Sequence, residues 1–305
     1  MVDQLKTILE KNGIKFEVVS ASRIEDLRKG IEDFQSQTEL NGFQKWIVNN
    51  LYKFKLPDNT RSIIIAAIPH LHSYACIVFN RNGKEYKIYG SVTAPLVKAK
   101  KQIMDAVKKM GFQISSERNL PLKRLAVQSG LAEYGKNNIT YVNGMGSFLN
   151  YLAFFSNMPC DSDSWRDVAV STICNKCEEC AKSCPTGAID INRFLIDNQR
   201  CLSAINENTS DFPDWLPSTA HHTAYDCLKC QTCCPMNADK NDIIEIMFSE
   251  KETERLIEGR PYKDSSNELK KKISLLGLDS WPSIPRNLLS LFDLMDKGHI
   301  PSLNS

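Results

Sequence analysis

The sequence predicts an α+β chain with a mixed head over residues 1–165, a cysteine-rich segment over 166–240 and a helical tail over 241–305. Three observations predict it. Through the head, apolar runs of strand length alternate with amphipathic helical patterns. Periodicity then falters where nine of the eleven cysteines crowd between Cys174 and Cys234. Beyond residue 240 apolar residues return at helical spacing.

Residues 1–60 read mostly as helix. Leu5, Ile8, Leu9 and Ile14 recur at helical spacing, and a charged amphipathic stretch runs from Arg23 to Phe34. Ser62 to Ile68 (SIIIAAI) has the unbroken apolar pattern of a buried strand. Tyr74–Phe79 and Lys84–Tyr89 read as two strands joined at Asn82-Gly83, a pair suited to the positive φ angles of a tight hairpin. Val92–Met110 reads as a helix ended by Gly111. A strand at Phe112–Ser115, a helix at Leu122–Gln128 and strands at Ile139–Val142 and Phe148–Phe155 complete the head. In the tail, Ile243, Ile244 and Met247 share a helical face, and Pro282 and Pro285 interrupt the pattern before Leu288, Leu289, Leu291 and Phe292.

A chain of 305 residues, 42% hydrophobic, is long enough to bury a sizeable core. A net charge of +2 gives no global field to draw in nucleic acid or membrane. No run of eighteen apolar residues suggests a transmembrane helix. The opening stretch MVDQLKTILEKNGIKF is an amphipathic helix pattern with charges throughout, unlike a signal peptide. The expected compartment is the cytoplasm. Thiols stay reduced there, and clustered cysteines read as metal ligands or redox groups before disulfides.

Cys174, Cys177, Cys180 and Cys184 form C-x2-C-x2-C-x3-C followed by Pro185, the run of bacterial dicluster ferredoxins, whose fourth cysteine serves the other cluster. A looser set follows: Cys201, Cys227, Cys230 and Cys234, with Pro235 after it. The expectation is two [4Fe–4S] clusters, one on Cys174, Cys177, Cys180 and Cys234, the other on Cys184, Cys201, Cys227 and Cys230. Cys233 is an alternative to Cys234, but Pro235 repeats the Cys184-Pro185 step. Paired C-x2-C also serves structural zinc, while the x2, x2, x3-then-Pro run is far more specific to iron–sulfur chemistry. Crossed ligation brings the clusters close, so the segment is a two-step electron wire that needs a donor and an acceptor. Cys76, in an apolar strand, reads as a core residue.

The stretches SGLAEYGKNN (Ser129–Asn138), GMGSFLNYLAFF (Gly144–Phe155), CNKCEECAKSCPTGAID, RCLSAI and CLKCQTCCPMN follow the order seen in epoxyqueuosine reductases. SEKETERLIEGRPY (Ser249–Tyr262) and IPRNLLSLF (Ile284–Phe292) resemble that family's post-cluster region, so the resemblance spans residues 60–295. It implies a nitroreductase-like domain that binds cobalamin without a flavin, an architecture shared with reductive dehalogenases. It also implies clusters that reduce the corrinoid, and a cobalt centre that reduces an organic substrate. In the family that substrate is a modified wobble base of tRNA, whose epoxide becomes an alkene. A low-potential donor of flavodoxin or ferredoxin type is implied as well. Gly135, Lys136, Asn137 and Ser147 match family positions near the corrinoid; the bland alternative is a strand-entry turn and a surface lysine.

The pocket departs from the family pattern. The family's proton-donating Asp falls on Ser116, its D-Y-H segment reads YGSVTAPL (Tyr89–Leu96), and the tryptophan of the glycine-rich stretch is Glu133. Glu117 becomes the best carboxylate for proton delivery, with Tyr134 and Tyr141 as alternative donors; a solvated loop acid and two core aromatics are the plainer readings. His221 and His222 can ligate cobalt, tune a cluster or touch phosphate, and His70 and His72 can line the pocket mouth. The run Lys270–Lys272 suits RNA phosphate or a solvated helix face, and composition gives tRNA contact no support. The wire matches while the pocket differs, which leaves a second reading: a dicluster electron-transfer protein serving another enzyme or reactivating a corrinoid protein, with no substrate of its own. A redox sensor ranks third.

Overall fold

The computed structural model describes residues 2–240, 242–259, 262–278 and 282–303; Arg260 and Pro261 of the tail motif lie outside the described residues. The first helix, α1 (Val2–Glu10), buries Leu5 and Leu9, and the chain turns at Gly13 into strand β1 (Lys15–Ser20). Helices α2 (Arg23–Gln37) and α3 (Gly42–Asn50) follow, the second held by a capping box between Asn41 and Gln44.

Strand β2 (Ser62–Pro69) is central to the head. It pairs antiparallel with β1 on one side and with β8 (Leu149–Ser156) on the other, and β5 (Ile114–Glu117) completes the order β1-β2-β8-β5. Successive side chains of a strand point to opposite faces. Ile63, Ile65 and Ala67 therefore enter one core, with Ile24 and Leu27 of α2 and Leu125 of α5 (Leu122–Gln128). Ile64, Ala66 and Ile68 enter the other, with Leu5 and Leu9 of α1 and Ile103 and Val107 of α4 (Leu96–Lys109). The unbroken apolar run of β2 is the signature of a sheet covered on both faces.

A second sheet, ordered β4-β3-β9, holds β3 (Tyr74–Arg81), β4 (Lys84–Gly90) and β9 (Ile243–Phe248). Asn82 and Gly83 have φ angles of 52° and 71°, both positive as a two-residue hairpin requires. Strand β9 runs parallel to β3. Its inward residues Ile246 and Phe248 pack with Phe79 against α10 (Asn267–Leu276) and α11 (Ile284–Asp296). Helix α9 (Glu250–Ile257) links β9 to them and is capped by Ser249 and Glu252.

Three expectations need correcting. Residues 15–20 form a strand inside the stretch read as helical, because pairing with Ile63–Ala67 decides a short KFEVVS run whose own pattern is ambiguous. Helix α4 starts at Leu96 rather than Val92: Pro95 disfavours helix in the residue before it, and the Thr93 amide donates to the Leu275 carbonyl at 2.8 Å. The tail is not purely helical, since Ile243, Ile244 and Met247 belong to β9. With alternate residues buried, IIEIMF fits a strand, and its partner lies in the head. Within the lysine run, Lys272 Nζ is committed to Glu252 at 2.8 Å.

Phe79 and Phe248 stack with centroids 4.9 Å apart, and Phe248 is fully buried while Met247 is 49% exposed. Phe248→Ala is expected to cost about 3–5 kcal/mol in anaerobic urea unfolding, and Met247→Ala no more than about 0.5 kcal/mol. Equal costs at the two positions would contradict the register of β9.

Candidate functional site

Of the first expected cysteine set, all four members line one cavity: Cys174, Cys177, Cys180 and Cys234. Cys174 lies in a tight turn at Thr172–Lys176, and Cys180 lies in the one-turn helix α6 (Glu179–Lys182). Cys233 is not in the lining. The second set gathers separately. Cys201 precedes α7 (Leu202–Glu207), Cys230 sits in α8 (Lys229–Thr232), and Cys227 and Cys230 both feel the charges of Cys201 and Cys184. The chain thus crosses between groups: Cys184 trails α6 but joins the second, and Cys234 trails α8 but joins the first.

Burial, reinforced by neighbouring thiols, pushes Cys180 up to about 11 and Cys227 up to about 12. So many thiolates can share this space only around positive charge. Among the described residues no three His, Cys, Asp or Glu side chains converge closely enough to hold a single ion.

The head clamps this segment through side chains. Strands β6 (Glu133–Tyr134) and β7 (Thr140–Tyr141) form a small hairpin carrying Gly135, Lys136 and Asn137, and all three line the cysteine cavity. A Cβ on Gly135 would lie 2.6 Å from Asn137 Oδ1 and 2.9 Å from the Tyr141 ring, so only glycine fits. Asn137 Nδ2 donates to the Tyr141 hydroxyl at 2.8 Å and to the Cys230 carbonyl at 2.9 Å. Tyr141 and Cys234 line the same cavity. Ser147 makes a second clamp. Its amide donates to Asn237 Oδ1 at 2.9 Å and its hydroxyl to Gln231 Oε1 at 2.9 Å, and Asn237 Nδ2 reaches the Gln231 carbonyl at 2.9 Å. Gly146, at φ 74°, keeps Asn237 this close. Leu228 adopts φ 66°, an uncommon angle for a side chain of its size, and is held there by packing with Tyr74, Phe148 and Leu303.

A cleft of about 570 Å³ opens beside the second cysteine group. This lies within the roughly 300–1,000 Å³ of ordinary small-molecule sites. The head contributes Lys123, Ser147 and Tyr151, the cysteine segment Asp226 and Gln231, and the tail Gly277. Lys123 Nζ donates to the Asn138 carbonyl at 3.0 Å. Desolvation lowers its pKa while the nearby Cys201 and Cys230 oppose that shift. Burial pushes the Tyr151 phenol up to about 12, and its hydroxyl donates to Thr140 Oγ1 at 3.0 Å. Burial also raises the Asp226 carboxyl, which accepts from the Ser91 hydroxyl.

Few of the expected pocket residues reach this cleft; Ser147 and His70 do. Glu117 Oε1 accepts from the amides of Arg118 at 2.6 Å and Asn119 at 2.7 Å, so its carboxylate ties off its own turn. Tyr134 is buried edge-on to Phe194, with centroids 5.1 Å apart. Tyr141 belongs to the cysteine cavity. His70 Nε2 meets Asn150 Oδ1 at 3.0 Å, and burial takes its pKa down to about 4, leaving it neutral. His72 pairs with Asp242 at 3.0 Å. His221 packs on Phe212, and His222 spans the carbonyls of Ala220 and Cys227 at 2.7 Å each. Sequence reasoning missed Lys123, Tyr151, Asp226 and Gln231. The last two carried a signal, since both are embedded in the second cysteine set.

Comparison with known proteins adds the following. Residues 173–237 match the family model of a 4Fe-4S double cluster binding domain. The epoxyqueuosine reductase of Bacillus subtilis (strain 168) is 29% identical over 119 residues, 39% of this chain and 30% of that protein. The epoxyqueuosine reductase of Aliivibrio fischeri is 30% identical over 159 residues, 52% of this chain and 41% of that protein. The matches therefore span less than half the length of these relatives. Among solved structures, a selenomethionine-labelled epoxyqueuosine reductase superposes with a TM-score of 0.64 at 18% identity, over 97% of this chain and 82% of that one. An epoxyqueuosine reductase with a tRNA-Tyr epoxyqueuosine-modified tRNA stem loop gives 0.61 at 20% identity, over 95% and 80%. At such identities the structural likeness is one of fold. The chain is thus similar to epoxyqueuosine reductases in sequence over part of its length and in fold over nearly all of it, and its residues 173–237 match a 4Fe-4S double cluster binding domain.

Proposed function

We propose that the chain is an iron–sulfur oxidoreductase of the epoxyqueuosine reductase type, with a nitroreductase-like, corrinoid-binding head over residues 1–165, a dicluster segment over 166–240 and a tail over 241–305 that packs on both. One observation carries this reading. The cleft and the second cysteine group share a wall, formed by Asp226, Leu228 and Gln231 with Lys123 facing them. A lining that mixes apolar Leu122, Ile139, Phe148 and Leu149 with polar Ser91, Thr140 and Gln231 suits a macrocycle edged with amides.

In this reading Cys174, Cys177, Cys180 and Cys234 hold one cluster and Cys184, Cys201, Cys227 and Cys230 the other. Bound, the clusters supply single electrons and the corrinoid a cobalt centre able to reduce a carbon–oxygen bond. The residues do the rest. Ser147 and Gln231 fix the wall between cleft and clusters. Both ring nitrogens of His222 are taken by the carbonyls of Ala220 and Cys227, while His70, in the cleft lining, has its Nδ1 without a partner. Tyr151 holds a proton at its hydroxyl beside the cleft floor, replacing Glu117, Tyr134 and Tyr141 as the candidate donor. The solved relative with a tRNA stem loop supports a modified nucleoside of tRNA as substrate, and a low-potential flavodoxin or ferredoxin as electron donor completes the scheme. Among the described residues no helix is long and apolar enough to cross a membrane.

A specific observation favours the second reading, an electron-transfer protein without its own substrate. Ser116 stands where the family has its proton-donating Asp, and the neighbouring Glu117 carboxylate is occupied by its own turn. Turnover of an epoxyqueuosine-containing tRNA stem loop by the reduced, corrinoid-loaded protein would exclude that reading.

Anaerobic reconstitution tests the main proposal. The protein is expected to take up about eight irons and eight sulfides and to alter the EPR spectrum of added cob(II)alamin. An unchanged spectrum, with no corrinoid retained on gel filtration, would overturn the corrinoid site. Cys234→Ser is expected to lose about half of the iron and Cys233→Ser none; the reverse pattern would move the ligand to Cys233.

A further inference from the structure

A second cavity, of about 580 Å³, lies where α2, α5 and the link into the cysteine segment meet. Its volume is that of a small-molecule site. Phe34 of α2, Trp165 and Val168 of the link and Phe194 of the cysteine segment give it a largely aromatic wall. Phe194 meets Phe34 edge-on, with centroids 5.9 Å apart. The link is fastened on both sides of this wall. The Arg166 amide donates to the Gln128 carbonyl at 2.8 Å, and the Ser171 amide to the Tyr134 carbonyl at 2.7 Å.

Arg124 brings the charge. Its Nε donates to Gln128 Oε1 at 3.1 Å. Nη1 and Nη2 meet no acceptor and no carboxylate partner among the described residues, yet they are not sealed off, since they belong to a side chain that lines the cavity and are absent from the buried, unbonded atoms. The guanidinium lies across α2 at Gly30, where a Cβ would fall 2.4 Å from Nη2 and 3.0 Å from Cζ. Glycine inside a helix costs about 0.5–1 kcal/mol relative to alanine, so α2 gives up stability at the point where the guanidinium rests. Burial lowers the Arg124 pKa, although Tyr134 and Asp33 act the other way. Other charges on the lining are mostly engaged. Asp26 pairs with Arg23 at 2.9 Å and Asp33 with Lys29 at 2.8 Å, while Asp167 is exposed. A dianion such as phosphate would meet one uncommitted guanidinium amid three carboxylates. A monoanion needs only the one fork of N–H donors.

We infer that this cavity binds a small aromatic monocarboxylate, with its carboxylate on the Nη atoms of Arg124 and its ring among Phe34, Trp165 and Phe194. The occupant is gripped by the head through Arg124 and by the cysteine segment through Phe194. The site is separate from the cleft beside the second cysteine group, though α5 serves both: Lys123 lines the cleft and Arg124 this cavity.

The test is isothermal titration of the anaerobically purified full chain with 3-phenylpropionate, and with inorganic phosphate for comparison. The wild-type chain is expected to bind 3-phenylpropionate saturably at one per chain, and phosphate at least about tenfold more weakly. Arg124→Gln is expected to weaken 3-phenylpropionate about tenfold or more, the loss of a hydrogen-bonded charge. Gly30→Ala keeps the arginine but displaces its guanidinium, and should weaken binding in the same direction; it decides the matter if Arg124→Gln fails to fold. No saturable binding by the wild-type chain, or unchanged affinity in the variants, would overturn the site. Phosphate bound as tightly as 3-phenylpropionate would overturn the aromatic monocarboxylate assignment.

Discussion

Two buried asparagines hold the cysteine segment against the head, and the candidate site exists because they do. Asn237 receives the Ser147 amide and returns two donors, to the Ser147 hydroxyl and the Gln231 carbonyl. Asn137 ties the β6–β7 hairpin to the Cys230 carbonyl. Both are nearly inaccessible to water, at 2% and 3% exposure. Losing either would strand several polar atoms in a dry interface, at roughly 1–3 kcal/mol for each unsatisfied group. These polar ties work beside apolar contacts, with Ala224 and Tyr225 packed into the core under the β4-β3-β9 sheet and Leu228 anchored against Tyr74 and Phe148. They also fix which face of the segment borders the cleft.

The rest of the architecture serves that junction. Both faces of β2 are buried, so the head is a sheet between helical layers and its far edge can carry loops under little strain. Strand β9 leaves the cysteine segment and immediately pairs with β3, so the segment is fastened to the head at its end as well as along its side. The crossing of Cys184 and Cys234 stitches the two cysteine groups to each other. A chain so fastened holds the cleft and the cysteine groups in one body, as electron delivery over a short distance requires.

Much of this was legible in the sequence. SIIIAAI announced a strand buried on both faces, Asn82-Gly83 announced the hairpin, and the cysteine spacing with its two prolines announced two groups and a crossing. What escaped depended on distant partners. KFEVVS and IIEIMF become strands because β2 and β3 offer them edges, and no local pattern records that. The cleft lining escaped for a related reason. Gly135, Lys136 and Asn137 line the cysteine cavity, while Tyr151 and Lys123 reach the cleft from a strand and a helix whose orientation only the fold supplies. Glu117 looked available until its carboxylate was found bonded to two adjacent amides.

The central claim is that the clusters and a corrinoid share one wall. Its most direct test is power-saturation EPR of the corrinoid-loaded protein, comparing the cobalt(II) signal with the clusters oxidised and reduced. Proximity predicts that the signal relaxes faster, and saturates at higher power, once the adjoining cluster is reduced and paramagnetic. A cobalt(II) signal that saturates identically in both states would place the corrinoid away from the clusters and contradict the account.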